Sequence, residues 1–419
     1  MFALCDKLIQ KNKLKPHRKV FSNYTFSCFD EIANLPETEW NEATDKHNIF
    51  LSYSYLHAIH QQQSETFRFR YVIVYNNKKP IGVVYFQIND FSASLFGDIV
   101  AKQITELKSK RASIFQRYIE QNEDETVMRL VTCGNNFISG EHGFYLNINS
   151  KKITFKIIES IIDCVSRAEK LRGKISAILV KDFYEEGFGD KDCWYCTRFV
   201  HFNVEPNMIV DLPKNLTTVS DYLALFSKKY RNRAKHILQA SAPLTKKRLT
   251  ITDIIKLSDA LYALYLQVYH QAKFKLAQIE KDYFKTVAEK FSSDFFIDAW
   301  FKDNELVSFA SGFYLANEIE AHYIGFDYSQ NREFELYQTI LYSYIEEAIL
   351  TKKECINLGR TASEIKTTVG AKPHELLCYI KPQNTVSKLI LKPFMQFLQP
   401  SEWVPRNPFK EGEIQELIL

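Results

Sequence analysis

The sequence predicts a duplicated α/β (α+β) protein: two tandem domains, each a mixed, mostly antiparallel sheet flanked by helices. Three observations lead there. The chain has 419 residues, too many for one ordinary core and about right for two of roughly 150–200 residues. Hydrophobic residues make up 46% and charged residues 25%, which is the balance of a folding chain and not of a disordered one. Finally, the order helix, hairpin, strand, helix, strand occurs twice at a separation of about 200 residues, as a repeat of pattern without visible repeat of sequence.

The elements follow in order. Residues 1–47 mix a basic run (Lys11–Lys19) with short apolar patches and read as a loosely attached lead-in. The first domain, 48–205, opens with a helix over Ile49–Ile59, where Leu51, Tyr55, Leu56 and Ile59 share one face. Phe67–Tyr75 and Pro80–Ile88 flank the polar turn Asn76-Asn77-Lys78-Lys79, a hairpin signal. Arg129–Cys133 and His142–Ile148 read as strands, Ile153–Leu171 as an amphipathic helix and Ile175–Val180 as a buried strand. The boundary falls near His201–Pro213. The second domain, 206–385, has helical stretches at Val219–Gln239, Thr252–Gln271 and Lys281–Phe291. A hairpin follows, Phe295–Phe301 and Glu305–Leu315 around Lys302-Asp303-Asn304, then strand Glu318–Asp327, helix Glu335–Leu350 and strand Cys355–Leu358. Residues 386–419 form a tail.

Composition removes several classes. With 54 Lys+Arg against 50 Asp+Glu, nothing global demands nucleic acid or an anionic membrane. No apolar stretch is long enough to span a bilayer, none looks like a secretory signal, and eight irregularly spaced cysteines read as free thiols, so a cytoplasmic location is expected. Glycine is scarce, 13 residues or about 3% against a usual ~7%, and no phosphate-binding glycine pattern occurs. Cys193-Trp194-Tyr195-Cys196 has zinc-ligand spacing but no second pair, so no metal is expected.

The most informative stretch runs from Tyr337 to Cys378. A buried strand ending in Gly359-Arg360 sets a guanidinium at the carboxyl edge of a sheet, where ligands of open α/β sheets gather, and arginine clamps phosphate or carboxylate through paired hydrogen bonds. Ser363 and Lys366 sit on the turn that follows; a structural ion pair for Arg360 is the alternative. Lys228, Arg231 and Lys235 form one charged stripe, with Lys229, Arg233 and His236 beside it, and no acid intervenes before Lys246-Lys247-Arg248. Such a run is either a solvated face or a dock for an anionic partner. Strand alternation places His322 and Ile324 on one face, Tyr323 and Gly325 on the other. Tyr269 and His270 end a helix and line either a cleft or a core. The tail's Leu391, Phe394, Met395, Phe397, Leu398 and Trp403 pack back on the second domain or touch a membrane surface.

Gly359-Arg360-Thr361, Glu364-Ile365-Lys366 and Gly370-Ala371, late in a duplicated domain, resemble the Gcn5-related N-acyltransferase (GNAT) superfamily. The closer resemblance is to its double-domain branch, which holds the Fem-type peptidoglycan aminoacyltransferases and bacterial acyltransferases often found beside lipid-synthesis genes. The basic helix Ser227–His236 and the stretches Cys133-Gly134-Asn135 and Ser139–Phe144 fit the same branch. The resemblance covers roughly 48–382 and implies two GNAT-like domains with the active site in the second. It implies N-acyl transfer from a thioester donor (acyl-CoA or acyl carrier protein) to an amine, with no permanently bound cofactor. By the same resemblance His322 and Tyr323 lie where the carbonyl is polarised and the acceptor bound. Arg360, Ser363, Lys366 and Tyr269 would bind donor or acceptor, and Lys228, Arg231, Arg233 and Lys235 would dock the donor's carrier. One departure stands out: Asp327–Phe334 has no glycine where acetyl-CoA enzymes hold the pyrophosphate at a helix start. An aminoacyl-tRNA donor, or a non-catalytic binding module, therefore stays open. The chain shows no long coiled-coil pair of the kind tRNA-using Fem enzymes insert, which points to a lipid-type amine acceptor; peripheral contact with the inner face of the membrane would be made through the C-terminal tail.

Overall fold

The computed structural model describes residues 18–21, 23–44, 48–92, 127–185, 187, 199–271, 276–384 and 403–411, with a few single residues between 387 and 399. The chain divides into two compact units, Met1–Val204 with Glu375–Pro400, and Glu205–His374 with Ser401–Leu419.

The first unit contains β1 (Arg18–Phe21), β2 (Tyr24–Phe29), α1 (Glu37–Ala43), α2 (Tyr53–His60), β3 (Phe67–Asn76), β4 (Lys79–Ser92), β5 (Val127–Cys133), β6 (Phe144–Leu146), α3 (Lys151–Lys170) and β7 (Ile175–Tyr184). Its sheet runs β1-β2-β3-β4-β5-β7, with β6 on β4 and the late segment Glu375–Pro382 beside β7. Among the described residues all pairs are antiparallel except β5 with β7. The β3–β4 turn places Asn77 and Lys78 at φ 49° and 68°, the two left-handed residues of a turn whose twist matches that of a hairpin. Ser52 and Ser150 cap α2 and α3 by accepting the N–H of Tyr55 and of Ile153. Ile157, Ile158, Ile161 and Ile162 of α3 are fully buried against Val72, Val84, Val131 and Ile178 of the sheet, and each such side chain contributes about 1.5–3 kcal/mol.

Residues 24–44, expected as a loose lead-in, belong to this unit. Phe26 and Trp40 are buried, and the Trp40 indole donates to the Leu51 carbonyl at 2.7 Å. Elements of four to seven residues are too short for periodicity to reveal. The second expected domain likewise gives up its end, since the strand from Glu375 pairs with β7.

The second unit contains β8 (Val200–Asp211, within this unit from Glu205), α4 (Val219–Ala224), α5 (Lys228–Ser241), β9 (Thr245–Arg248), α6 (Ile251–Lys256), α7 (Ser258–Gln271), α8 (Tyr283–Lys290), β10 (Phe295–Lys302), β11 (Glu305–Tyr314), β12 (Glu318–Phe326), α9 (Tyr328–Phe334), α10 (Leu336–Leu350), β13 (Cys355–Asn357), α11 (Ser363–Thr367) and the start of β14 (Lys372–Pro382, within this unit only to His374). Its sheet runs β8-β13-β12-β11-β10-β9. Among the described residues only β12 and β13 are parallel. The β10–β11 turn repeats the first unit's geometry, with Asp303 at φ 48° and Asn304 at φ 68°. Two expected long helices are each broken, at Leu225–Ser227 and at Leu257. Capping boxes at Thr218/Asp221 and Thr250/Asp253 start the first piece of each.

One face of this sheet packs Met208, Val210, Ile319 and Ile356 against Ile340, Ile345 and Ala348 of α10 and Ala234 and Ile237 of α5. Trp403 and Phe409 from the tail join that core. The other face meets α7 and α8. No helix among the described residues is long and apolar enough to cross a membrane.

Candidate functional site

The parallel pair β12–β13 joins for three residues only: Glu318 with Cys355, Ile319 with Ile356 and Glu320 with Asn357. Beyond Asn357 the chain stays with β8, since Leu358 donates to Met208 and Met208 to Gly359. β12 instead continues with β11 to Phe326. From Ala321 onward the sheet is therefore split, and the opening lies at the carboxyl ends of both strands. Ligands of α/β sheets collect at such a point because strand ends and loops converge there without a shared ladder.

One lip of the opening is a β-bulge. Ala310 pairs with Ile324 and Gly312 with Ala321, so His322 and Tyr323 together oppose Ser311. Ser311 Oγ both accepts from the Tyr323 N–H and donates to its carbonyl. From the other side the Tyr344 hydroxyl of α10 donates to the Ser311 carbonyl at 2.7 Å and takes the His322 N–H. The bulge overturns the expected alternation. Ala321 and Ile324 both turn to the α10 core, while the His322 and Tyr323 rings stand 4.3 Å apart and both pack on Tyr283 of α8. An extra residue shifts every side chain beyond it to the other face. Gly325 completes the lip: a Cβ there would sit 2.8 Å from the backbone of Leu264 and Tyr265, so α7 lies directly on the strand.

His322 is walled by Tyr283, Phe295, Phe313 and Tyr323, and its Nε2 lies 2.6 Å from the Tyr283 hydroxyl. Burial pulls the imidazole down to about 3, so it is neutral at physiological pH and acts as a hydrogen-bonding group. Tyr269 sits on the same side, its ring 5.6 Å from Tyr265, which in turn is 5.4 Å from Tyr323.

The other lip is the loop from Gly359 to Ala362. Gly359, Thr361 and Ala362 have φ of 69°, 69° and 50°, and a Cβ on Gly359 would meet nothing within 4 Å. Glycine is thus favoured by conformation, on a surface that faces open space. Arg360 is half-exposed on this loop. Lys366 is buried, and its ammonium donates to the carbonyls of Gly359 at 3.1 Å and Arg360 at 2.7 Å. Sequence reasoning gave Lys366 an anion-binding role; the structure places its amine beneath the loop as the group that holds it. Burial draws that amine down to about 7, against the opposing pull of Glu205 and Glu320. Ser363, the first residue of α11, is also buried. Glu320, at the vertex of the opening, is buried beside Asn357, and burial, with Glu318 adding, pushes its carboxyl well above the usual range. Sequence reasoning passed over Glu320, Tyr283, Ser311 and Tyr344. Glu318, Glu320 and His322, three titratable residues at a spacing of two, were the available signal.

Acidic side chains stand at the two helix starts that follow β12, Asp327 and Glu335. Asp327 accepts from the backbone N–H and the hydroxyl of Ser329 and from Gln330. Asn331 Oδ1 takes the Tyr337 N–H at 3.0 Å, and Glu335 stands at the start of α10, paired with Arg233 at 2.8 Å. A pyrophosphate there would face two carboxylates instead of open N–H groups.

The basic run divides into two. Lys246 pairs with Asp298 and Glu346, Lys247 with Asp253, and Arg248 with Asp298 and Glu347. Arg233 is taken by Glu335. Lys228, Arg231 and Lys235 on α5 have no ion pair among the described residues, and Lys228 and Lys235 are exposed. The site residues thus fall into three groups: His322, Tyr323 and Tyr269 on one side of the opening, Arg360, Ser363 and Lys366 on the other, and the α5 stripe. The Cys193–Cys196 pair lies outside the described residues, as does much of the tail; among the described residues no cluster could hold a metal ion.

No family model and no curated protein matches the sequence. Among solved structures the chain is similar to FemX, at 10% identity over 85% of this chain and 98% of that one, with a TM-score of 0.49. It is similar to a tandem GNAT protein from the clavulanic acid biosynthesis pathway, at 6% identity, 86% and 99% coverage and a TM-score of 0.47. It is also similar to the C-terminal domain of a putative lysylphosphatidylglycerol synthetase from Agrobacterium fabrum, at 12% identity, 66% and 85% coverage and a TM-score of 0.40.

Proposed function

We propose that the second unit transfers an acyl or aminoacyl group to an amine, with the reacting carbonyl lodged in the opening between β12 and β13. The observation that carries the reading is the split itself. It is lined by a neutral hydrogen-bonding pair, His322 and Tyr283, on one lip and by the Gly359–Ala362 loop with Arg360 on the other. The motif resemblance around Gly359-Arg360 and Lys366 points the same way. Acyl transfer asks mainly for alignment and for hydrogen bonds to the carbonyl as charge develops on its oxygen. The amine nitrogen attacks the carbonyl carbon, the bond from that carbon to sulfur or to ribose oxygen breaks, and the leaving atom takes a proton as the amine loses one.

In this reading Arg360 holds an anionic part of the donor, Lys366 keeps the loop in its left-handed path, and His322 and Tyr323 face the reacting end. The bulge N–H groups are already bonded to Ser311 and Tyr344, so polarisation comes from side chains. The acidic helix starts at Asp327 and Glu335 favour a donor whose phosphates lie elsewhere. A macromolecular carrier resting on Lys228, Arg231 and Lys235 fits this, either acyl carrier protein or aminoacyl-tRNA, and an acyl-CoA held differently is the other thioester donor. Cytoplasmic placement, with the amine acceptor drawn from lipid or envelope synthesis, belongs to the same proposal.

The test is a donor panel of acetyl-CoA, palmitoyl-CoA, acylated carrier protein and aminoacyl-tRNA. Melting is followed by calorimetry and amine acylation by mass spectrometry. A true donor at a hundred times its Kd adds about 2.7 kcal/mol of stability and yields product. If no donor class does both, the reading fails.

A further inference from the structure

The half-exposed side of α7 carries Tyr262, Tyr265 and Tyr269 in one stripe. Their rings follow one another at 5.9 and 5.6 Å, with planes inclined by 25° and 34°. Tyr323 meets Tyr265 edge-on at 5.4 Å and 81°, and Tyr283 meets Tyr323 at 5.8 Å and 84°. Perpendicular rings make a corner, and aromatic corners hold cations through the negative faces of the rings. Tyr265 and Tyr283 are buried and fix the corner, whereas Tyr262, Tyr269 and Tyr323 keep part of their surface in solvent. Two of the phenols at the back are already engaged: Tyr262 accepts from Gln278, and Tyr265 accepts the Ile279 N–H.

Neither α7 nor β12 carries a lysine or arginine to repel a cation. Of their acids, Asp259 is paired with Lys281, and burial raises the carboxyls of Glu318 and Glu320, so the rings and not a carboxylate would supply the attraction. A core-packing role explains Tyr265 and Tyr283. It does not explain why three wet positions of one face, on α7 and on the bulge, are all tyrosine when any polar residue would serve the surface equally well.

We infer that Tyr262, Tyr265, Tyr269 and Tyr323 form a binding site for an organic ammonium group, seated over the tyrosine rings beside the opening of β12 and β13. The inference rests on the transfer reading for its biological use, since such a site would admit the amine acceptor in its protonated form and disfavour anions. The binding itself requires no turnover.

Ligand-observed saturation-transfer NMR on the whole chain tests it with three small probes of similar size: n-butylammonium, 1-pentanol and butyrate. We expect butylammonium to bind roughly fivefold more tightly than the alcohol, the range of a solvent-accessible cation–π contact, and butyrate not to bind. Tyr269→Leu should abolish the preference and Tyr269→Phe should retain it, because the ring face and not the hydroxyl carries the attraction. Melting curves for both variants confirm folding, and Tyr323→Leu provides a second test on a different element. Equal binding of ammonium and alcohol, or an unchanged preference in both leucine variants, overturns the inference. Cation preference without any acylated product would sustain this site and remove the transfer reading, and the reverse result would separate them the other way.

Discussion

Among the described residues each unit has one pair of parallel strands, and the two pairs end differently. In the first unit β5 and β7 stay joined from Arg129–Ile175 to Cys133–Val180, the carboxyl end of β5. In the second, β12 and β13 part after Glu320–Asn357. Both units bury a lysine under the loop that follows. Lys181 donates to the carbonyls of Asn135 and Ile138 at 2.6 and 3.0 Å and pairs with Asp182. Lys366 donates to Gly359 and Arg360. In the first unit the loop at Asn135 is knitted to Gln87 and Asn89 by side-chain hydrogen bonds, which closes the sheet end. In the second the loop faces open space at Gly359. The same device, an amine beneath carbonyls, serves as filler where the ladder is complete and as a hinge pin where the ladder is split.

The comparison breaks most decisively at the two lysines. Lys366→Met should reduce transfer at least ~100-fold with the protein still folded, because two carbonyls lose their donor at roughly 1–3 kcal/mol each and the loop leaves its left-handed path. Lys181→Met should instead lower urea stability by about 3–5 kcal/mol, the cost of leaving Asp182 as an unpaired buried charge. Transfer assayed well below the melting point should then stay within about threefold of wild type, or ~0.7 kcal/mol. Loss of transfer in the Lys181 variant, or none in the Lys366 variant, would reverse the assignment of roles.

Arg360→Ala comes next. Removing a charged hydrogen bond to an anionic ligand costs roughly 1.5–3 kcal/mol, so transfer should fall about 10- to 100-fold with melting unchanged. Activity within threefold of wild type would return Arg360 to a structural role.

A pH titration addresses what the two units share. Burial pulls His322 down to about 3 and His142, in the first unit, to about 4. A base whose folded value lies below its unfolded 6.5 is fully stabilising above 6.5, and that stability is lost as pH falls toward the folded value, since the unfolded chain binds more protons. Urea midpoints should therefore decline between pH 6.5 and 4, with each histidine contributing roughly 3 kcal/mol by the lower end. His142→Gln and His322→Gln should each flatten part of that slope. A slope unchanged in both variants would remove these histidines as its cause.

The smallest effect is expected on α5. Lys228→Glu with Arg231→Glu should weaken binding of a macromolecular donor and reduce its salt dependence, with the slope falling by about one per lost contact. Lys247→Glu, whose lysine is matched by Asp253, should leave that slope unchanged in the same filter-binding series.

Much of the fold was legible because hydrophobic period and turn chemistry are local. Asn77-Lys78 and Asp303-Asn304 announced both hairpins, and the isoleucines of α3 announced the long helix of the first unit. Gly359-Arg360 was legible as a strand end for the same reason. The short elements β1, β2, α1, β9 and α9 were not, since four to seven residues contain too few periods.

What the sequence determined by itself was the pair of α/β patterns, the basic run from Lys228 to Arg248 and the residues at the late strand end. Only the tertiary structure decided which of those residues act together. The bulge that puts His322 beside Tyr323 depends on Ser311 and Tyr344, distant in sequence and joined to it by hydrogen bonds. The burial that holds Lys366 under Arg360, and the acids that neutralise Lys246, Lys247 and Arg248 but leave Lys228, Arg231 and Lys235, likewise come from other elements. Pattern is carried along the chain within a few residues, whereas register, burial and charge pairing exist only once separate segments meet.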